Sequence, residues 1–140
     1  MASRIFQLLF LGLICSVPLS SQGTGLWKST DHVGDNERSI VRIYETNGKY
    51  YGVIEKLLPA ATIKVCSGCE GEMKNKSLVG MIIIKDVTRK SSGGVNGKIL
   101  DPSNGKFYDC DLELVAPDKL RVTGYLGLPI LGKDMYWKRL

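Results

Sequence analysis

The alternation in residues 106–115 constrains this chain more than any other feature. Tyr108, Cys110, Leu112 and Leu114 alternate with Asp109, Asp111 and Glu113, and a period of two gives a strand one apolar and one wet face. After Ala116-Pro117-Asp118 the pattern resumes, with Leu120, Val122, Gly124 and Leu126 set against Arg121, Thr123 and Tyr125. Two adjacent strands that share one buried side predict an antiparallel meander. A sheet built this way must hide its two outer edges or leave them free to pair with other molecules.

Earlier segments repeat the pattern. Gly25-Leu26-Trp27-Lys28 is the expected first strand, followed by a polar loop over 31–37 that carries the one histidine, His32. Thr46-Asn47-Gly48-Lys49 separates two apolar runs, and Asn-Gly suits a type I′ hairpin turn because both central residues need positive φ. Such a turn predicts Val41 opposite Ile54, Ile43 opposite Gly52 and Glu45 opposite Tyr50. Residues 78–84 are apolar on both faces, which predicts a strand covered from both sides, with the 58–77 segment as its cover. A Ser- and Gly-rich turn at 88–94, a strand at 95–101 and the turn Asp101-Pro102-Ser103-Asn104-Gly105 follow. An apolar connection at 126–132 then leads to a closing strand at 133–140. Eight strands in hairpin order, with no amphipathic helix long enough to cover a sheet, predict an all-β, eight-stranded antiparallel up-and-down barrel. A two-sheet β-sandwich is the alternative.

At the amino end a short basic start, Met1 to Arg4, precedes an uncharged and mostly apolar run over 5–17, then Pro18 and small polar residues. That is the layout of a secretory signal peptide, and the run is shorter than the roughly 20 residues a membrane-spanning helix needs. We therefore expect a signal peptide over 1–22, one domain over 23–140, and no transmembrane segment after signal removal. The protein is expected in the periplasm or secreted. Arg4 leaves with the signal, so the 19 basic residues shrink by one against 14 acidic ones. The excess is mild and scattered, and nucleic acid is not an expected partner.

With Cys15 inside the signal, Cys66, Cys69 and Cys110 remain. An odd number in an exported protein means a free thiol, an intermolecular bridge, or a redox pair plus a buried sulfur. A bridge from Cys66 or Cys69 to Cys110 is preferred, because closing about 42 residues stabilises by roughly 4 kcal/mol on the chain-entropy model. A small Cys66–Cys69 loop disulfide is the alternative. A catalytic dithiol needs a helix N-terminus or basic neighbours to lower its pKa, and Ser67, Gly68 and Glu70 supply neither. Zinc would need a fourth ligand that His32, in an early loop, is badly placed to give, so no metal or cofactor is expected. His32 reads as a surface residue, and Asp109, Asp111 and Glu113 as a solvated outer face.

The barrel interior is then the candidate site. Val41, Ile43, Tyr50, Ile54, Tyr108, Leu112, Leu114, Leu120 and Val122 are expected to line or fill it, and an apolar pocket with tyrosine hydroxyls suits a small hydrophobic or amphipathic ligand. The leading expectation is a non-enzymatic ligand-binding protein. One alternative is a solid barrel that engages a protein or envelope partner through 58–77 and 126–132. Another is a thiol–disulfide protein using Cys66 and Cys69.

A set of spaced motifs points the same way. Gly25-x-Trp27 opens it, then come Asn47-Gly48-Lys49-Tyr50-Tyr51-Gly52, Cys66-x-x-Cys69 and Asn75-Lys76-x-Leu78-x-Gly80. Gly97-x-Ile99-x-Asp101-Pro102-x-x-Gly105-Lys106-x-Tyr108, Gly124-Tyr125-x-Gly127 and Gly132-x-x-x-x-Trp137-x-Arg139 complete it. In order and spacing these resemble the small secreted bacterial proteins of a domain-of-unknown-function family, DUF two-one-four-seven. The resemblance implies a lipocalin-like barrel, in which Arg139 lies over Trp27 as a structural closure. Many relatives have arginine after the last glycine, where this chain has Lys133, which removes a bidentate donor.

Overall fold

The computed structural model describes residues 12, 22–31, 36–125 and 132–140. His32, Cys15, the 126–131 connection and nearly all of the expected signal peptide lie outside the described residues. The elements in chain order are β1 (Gly25–Thr30), β2 (Glu37–Thr46), β3 (Lys49–Leu57), a 3-10 turn (Gly71–Met73), β4 (Ile82–Lys90), β5 (Gly93–Asp101), β6 (Lys106–Ala116), β7 (Lys119–Tyr125) and β8 (Gly132–Arg139). Each strand pairs antiparallel with the next, and β8 returns to β1 through Trp27 opposite Arg139 and Lys28 opposite Lys138. Closure removes both sheet edges.

Alternation sets the inward face. On β7, Leu120, Val122 and Gly124 are buried while Arg121, Thr123 and Tyr125 between them are only half-buried. Asn47 and Gly48 both take positive φ, 53° and 76°, and the β2–β3 register is the one the Asn-Gly turn predicts, with Val41 opposite Ile54 and Ile43 opposite Gly52. Around the expected 88–94 turn the strand boundaries differ from expectation: β4 runs on to Lys90 and the turn shrinks to Ser91 and Ser92. Strand β4 starts at Ile82 rather than at residue 78, because Gly80 sits at φ 87° and its N–H donates to Ile54 O at 2.8 Å. Leu78 and Met81 are buried ahead of the strand, but Val79 and Ile82 are exposed, so the run is not covered on both sides as its apolar composition predicts. Strand β5 starts at Gly93 rather than 95. Gly93 and Gly94 pair with Lys90 and Arg89 on β4 and with Glu113 and Leu112 on β6, an approach so close that a Cβ would lie 2.0 Å from Leu112 O at Gly93 and 2.5 Å from Val87 Cγ1 at Gly94.

The barrel is solid at one end. Trp27, Val41, Ile43, Ile84, Val87, Leu120 and Val122 are essentially inaccessible at the end where the β2–β3, β4–β5 and β6–β7 hairpins turn. Trp27 Nε1 donates to Gly23 O at 3.1 Å, and the Arg139 guanidinium lies 4.3 Å from the ring centroid of Trp27. Arg139 also donates to Thr24 O at 2.8 Å, to Pro117 O at 2.9 Å and to Gln22 O. One side chain thereby ties the residues before β1 and the β6–β7 turn to the last strand. The opposite end receives the 58–81 segment and the β5–β6 turn, and there the packing changes.

Candidate functional site

At that end the barrel holds a cavity of about 330 Å³. Ile54 and Leu57 at the end of β3, Ile83 on β4, Ile99 on β5, and Met135 and Trp137 on β8 wall it, with Ile63 and Leu78 arriving from the 58–81 segment. Gly124 on β7 also borders it, and a Cβ there would meet nothing closer than Ile99 Cγ2 at 3.9 Å. Three buried polar groups line this apolar room. Ser29 and Ser39, opposite each other on β1 and β2, are buried with their hydroxyl oxygens 2.6 Å apart. Trp137 is 2% exposed, and its indole N–H has no hydrogen-bond partner among the described residues.

Charge is confined to more accessible lining residues. Arg38 donates to Asp31 through Nε at 2.9 Å and through Nη2, and to Ala60 O through Nη1. Asp101, Tyr108 and Lys133 border the same space, and the Tyr108 hydroxyl accepts from Asn104 Nδ2 at 2.9 Å.

The 58–81 segment is held in place by backbone contacts. Leu58 N–H donates to Arg38 O at 2.8 Å, Cys66 N–H donates to Lys76 O at 2.9 Å, and Val65 and Ser77 form an isolated bridge. Its cysteine loop presses on the β5–β6 turn. A Cβ at Gly68 would lie 2.7 Å from the Asn104 carbonyl carbon, and one at Gly105, where φ is 72°, only 2.2 Å from Gly68 O. Two glycines are therefore what lets the backbones touch and the segment reach the cavity.

The cysteine pairing differs from the preferred expectation. Cys66 and Cys69 form the disulfide, with Cα atoms 5.3 Å apart, and Cys110 is a buried free thiol. Cys110 sits in mid-barrel opposite Gly97 and Gly124, whereas Cys66 lies at the rim, its sulfur 4.0 Å from Pro102 O. Loop entropy favours the longer bridge, but Cys66 and Cys69 already satisfy each other; the short loop contributes only about 2 kcal/mol on the same model. Burial pushes the Cys110 thiol up to about 12, Asp111 and Asp109 add to the rise, and Lys98 opposes it. The reactive species is the thiolate. Folded protein with its disulfide intact should therefore leave Cys110 unmodified by iodoacetamide at pH 8 and expose it only on unfolding; peptide mapping after alkylation reads this, and rapid labelling of native protein would contradict it.

Of the nine residues expected to line the interior, Ile54 and Tyr108 border the cavity. Ile43, Tyr50, Leu112, Leu114 and Leu120 surround a void of only about 20 Å³ beside Gln22, Gly23 and Ser91–Gly93 at the other end. Val41 and Val122 have no exposed surface at all. The interior is thus filled at one end and hollow at the other. Sequence reasoning missed Ser29, Ser39 and Trp137. Alternation back from Arg139 puts Trp137 on the inward side, but nothing local marks two serines as buried. The three carboxylates of β6 are engaged outside the cavity. Asp109 pairs with Lys98 and Glu113 with Arg121, while Asp111 accepts from Asn96 N–H at 3.0 Å and the Tyr125 hydroxyl at 2.8 Å. Among the described residues no group of His, Cys, Asp and Glu is arranged to hold a metal ion.

Residues 25–139 match a protein family described as "Uncharacterized protein conserved in bacteria (DUF2147)". A solved structure titled "Protein HP1028 from the human pathogen Helicobacter pylori belongs to the lipocalin family" is similar with a TM-score of 0.72 at 22% identity, covering 84% of this chain and 82% of that chain. At that identity the likeness shows the fold, a lipocalin-like barrel. No curated protein matches the chain. Among the described residues no helix is long and apolar enough to cross a membrane.

Proposed function

Because the chain belongs to the DUF2147 family of proteins conserved in bacteria and has a lipocalin-like barrel, we propose that it is an exported, non-enzymatic binding protein that holds one small hydrophobic or amphipathic molecule. The cavity at the hollow end carries this reading. An apolar cavity of about 150 Å³ accepts benzene, so 330 Å³ scales to a guest of about 13 heavy atoms. Apolar walls with a few fixed polar groups are the usual composition of such a site. The innermost polar groups are two hydroxyls bonded to each other and an indole, and none of them exchanges a proton near neutral pH, which favours binding over catalysis. The signal-like amino end and the Cys66–Cys69 bond support export to an oxidising compartment.

Native mass spectrometry of protein purified without detergent from its expression host tests this. The expected result is a one-to-one adduct on the order of 200 Da, the mass of about 13 heavy atoms on that scale, lost on denaturation. An empty barrel that takes up nothing from a lipid extract of bacterial cells would overturn the proposal.

A further inference from the structure

The three buried polar groups of the cavity are brought together by strand pairing. Ser29 is opposite Ser39 across β1 and β2. Between β1 and β8, Trp27 is opposite Arg139 and Lys28 opposite Lys138, and the Thr30 hydroxyl donates to Tyr136 O at 3.2 Å. Continuing that register sets Ser29 opposite Trp137. Side chains two apart on a strand share a face, so Ser39, Ser29 and Trp137 form one inward row across three neighbouring strands, all three buried.

Their donors do not cancel. Two hydroxyls joined by one hydrogen bond use one O–H and leave the other, and the indole N–H is unpartnered among the described residues. A buried donor without an acceptor is costly and in a native protein calls for an explanation. We infer that this row is the recognition element for the buried end of the guest, and that it selects an uncharged oxygen acceptor, a carbonyl or ether, on an otherwise aliphatic molecule. The inference rests on the binding function proposed above. A carboxylate at this depth would lose its hydration with no cation in the row to replace it; of the two cations that border the cavity, Arg38 is already held by Asp31 and Ala60 O, and Lys133 is exposed at its rim.

The probes are 2-undecanone, dodecane and undecanoate, followed on protein labelled with ¹⁵N at tryptophan. The Trp137 indole signal is assigned by its loss in Trp137→Phe. The expected result is a downfield move of the Trp137 indole proton on adding 2-undecanone, with the Trp27 signal, already bonded to Gly23 O, unmoved. The ketone should bind about 10- to 30-fold more tightly than dodecane, the effect of about two neutral hydrogen bonds. Ser29→Ala with Ser39→Ala should narrow that ratio in protein whose thermal melt shows it folded, and the wild-type indole shift gives a readout that needs no variant. Equal affinity for ketone and hydrocarbon with an unmoved indole signal, as when a retained water satisfies the donors, overturns the inference and leaves the binding function standing. Undecanoate binding more tightly than the ketone at pH 7.4 overturns the neutral-acceptor assignment. Failure of all three probes to bind defeats the inference and the proposed function together.

Discussion

Gly124→Phe is expected to weaken guest binding about a hundredfold while the barrel stays folded. Gly124 lies on β7 at the edge of the cavity, and its Cβ direction is open, with Ile99 Cγ2 at 3.9 Å as the nearest atom. A benzyl group adds seven heavy atoms, which on the scale of a benzene-filled cavity takes about half of the 330 Å³. A guest must then shrink or be overpacked, and overpacking costs about 1–3 kcal/mol, the upper figure being about a hundredfold in affinity. Titration with 2-undecanone beside a thermal melt reads both effects. Unchanged affinity in a folded variant would place the guest elsewhere. Gly97, another inward glycine, shows why the position matters: its Cβ would lie 2.1 Å from Val87 Cγ2, so even alanine there strains the core instead of filling a void.

Trp27→Ala is expected to destabilise the protein by about 3–5 kcal/mol, the range for removing a buried tryptophan. Trp27 is fully buried at the solid end, opposite Val41 on one side and Arg139 on the other. Truncation removes the bond to Gly23 O and the ring beneath the guanidinium as well as leaving a cavity. Urea unfolding measures the loss, and a change below about 1 kcal/mol would mean that backbone pairing alone closes the barrel. Affinity for the guest should change far less, because the cavity lies at the other end. Arg139→Lys should recover little of what Arg139→Ala loses, since one ammonium cannot reproduce the planar fork that reaches the carbonyls of Gln22, Thr24 and Pro117.

Several features are legible in the amino-acid sequence itself. The alternation in β6 and β7 marks the inward face, and Asn47-Gly48 sets the β2–β3 register to the residue, because both depend on neighbours a few positions apart. The start of β4 was not readable, since Leu78 and Met81 are as buried in a turn as Ile84 is in a strand. Cysteine spacing favours a bridge to Cys110 and the structure has Cys66–Cys69, because loop entropy depends on spacing while bond formation depends on position. The site was legible only in outline. An apolar interior was expected, but seven of the nine residues named for it pack away from the main cavity.

The amino-acid sequence on its own determines the number of strands, their hairpin order and which side of most of them is dry, because side-chain direction alternates with every residue along an extended backbone. It does not determine which inward residues meet. Strands in a closed barrel tilt and stagger, so height along the axis depends on the register of all eight pairings at once. Only the closed barrel therefore decides that Ser29, Ser39 and Trp137 share one level, that Gly124 faces open space while Gly97 faces Val87, and that one end is packed solid while the other stays hollow.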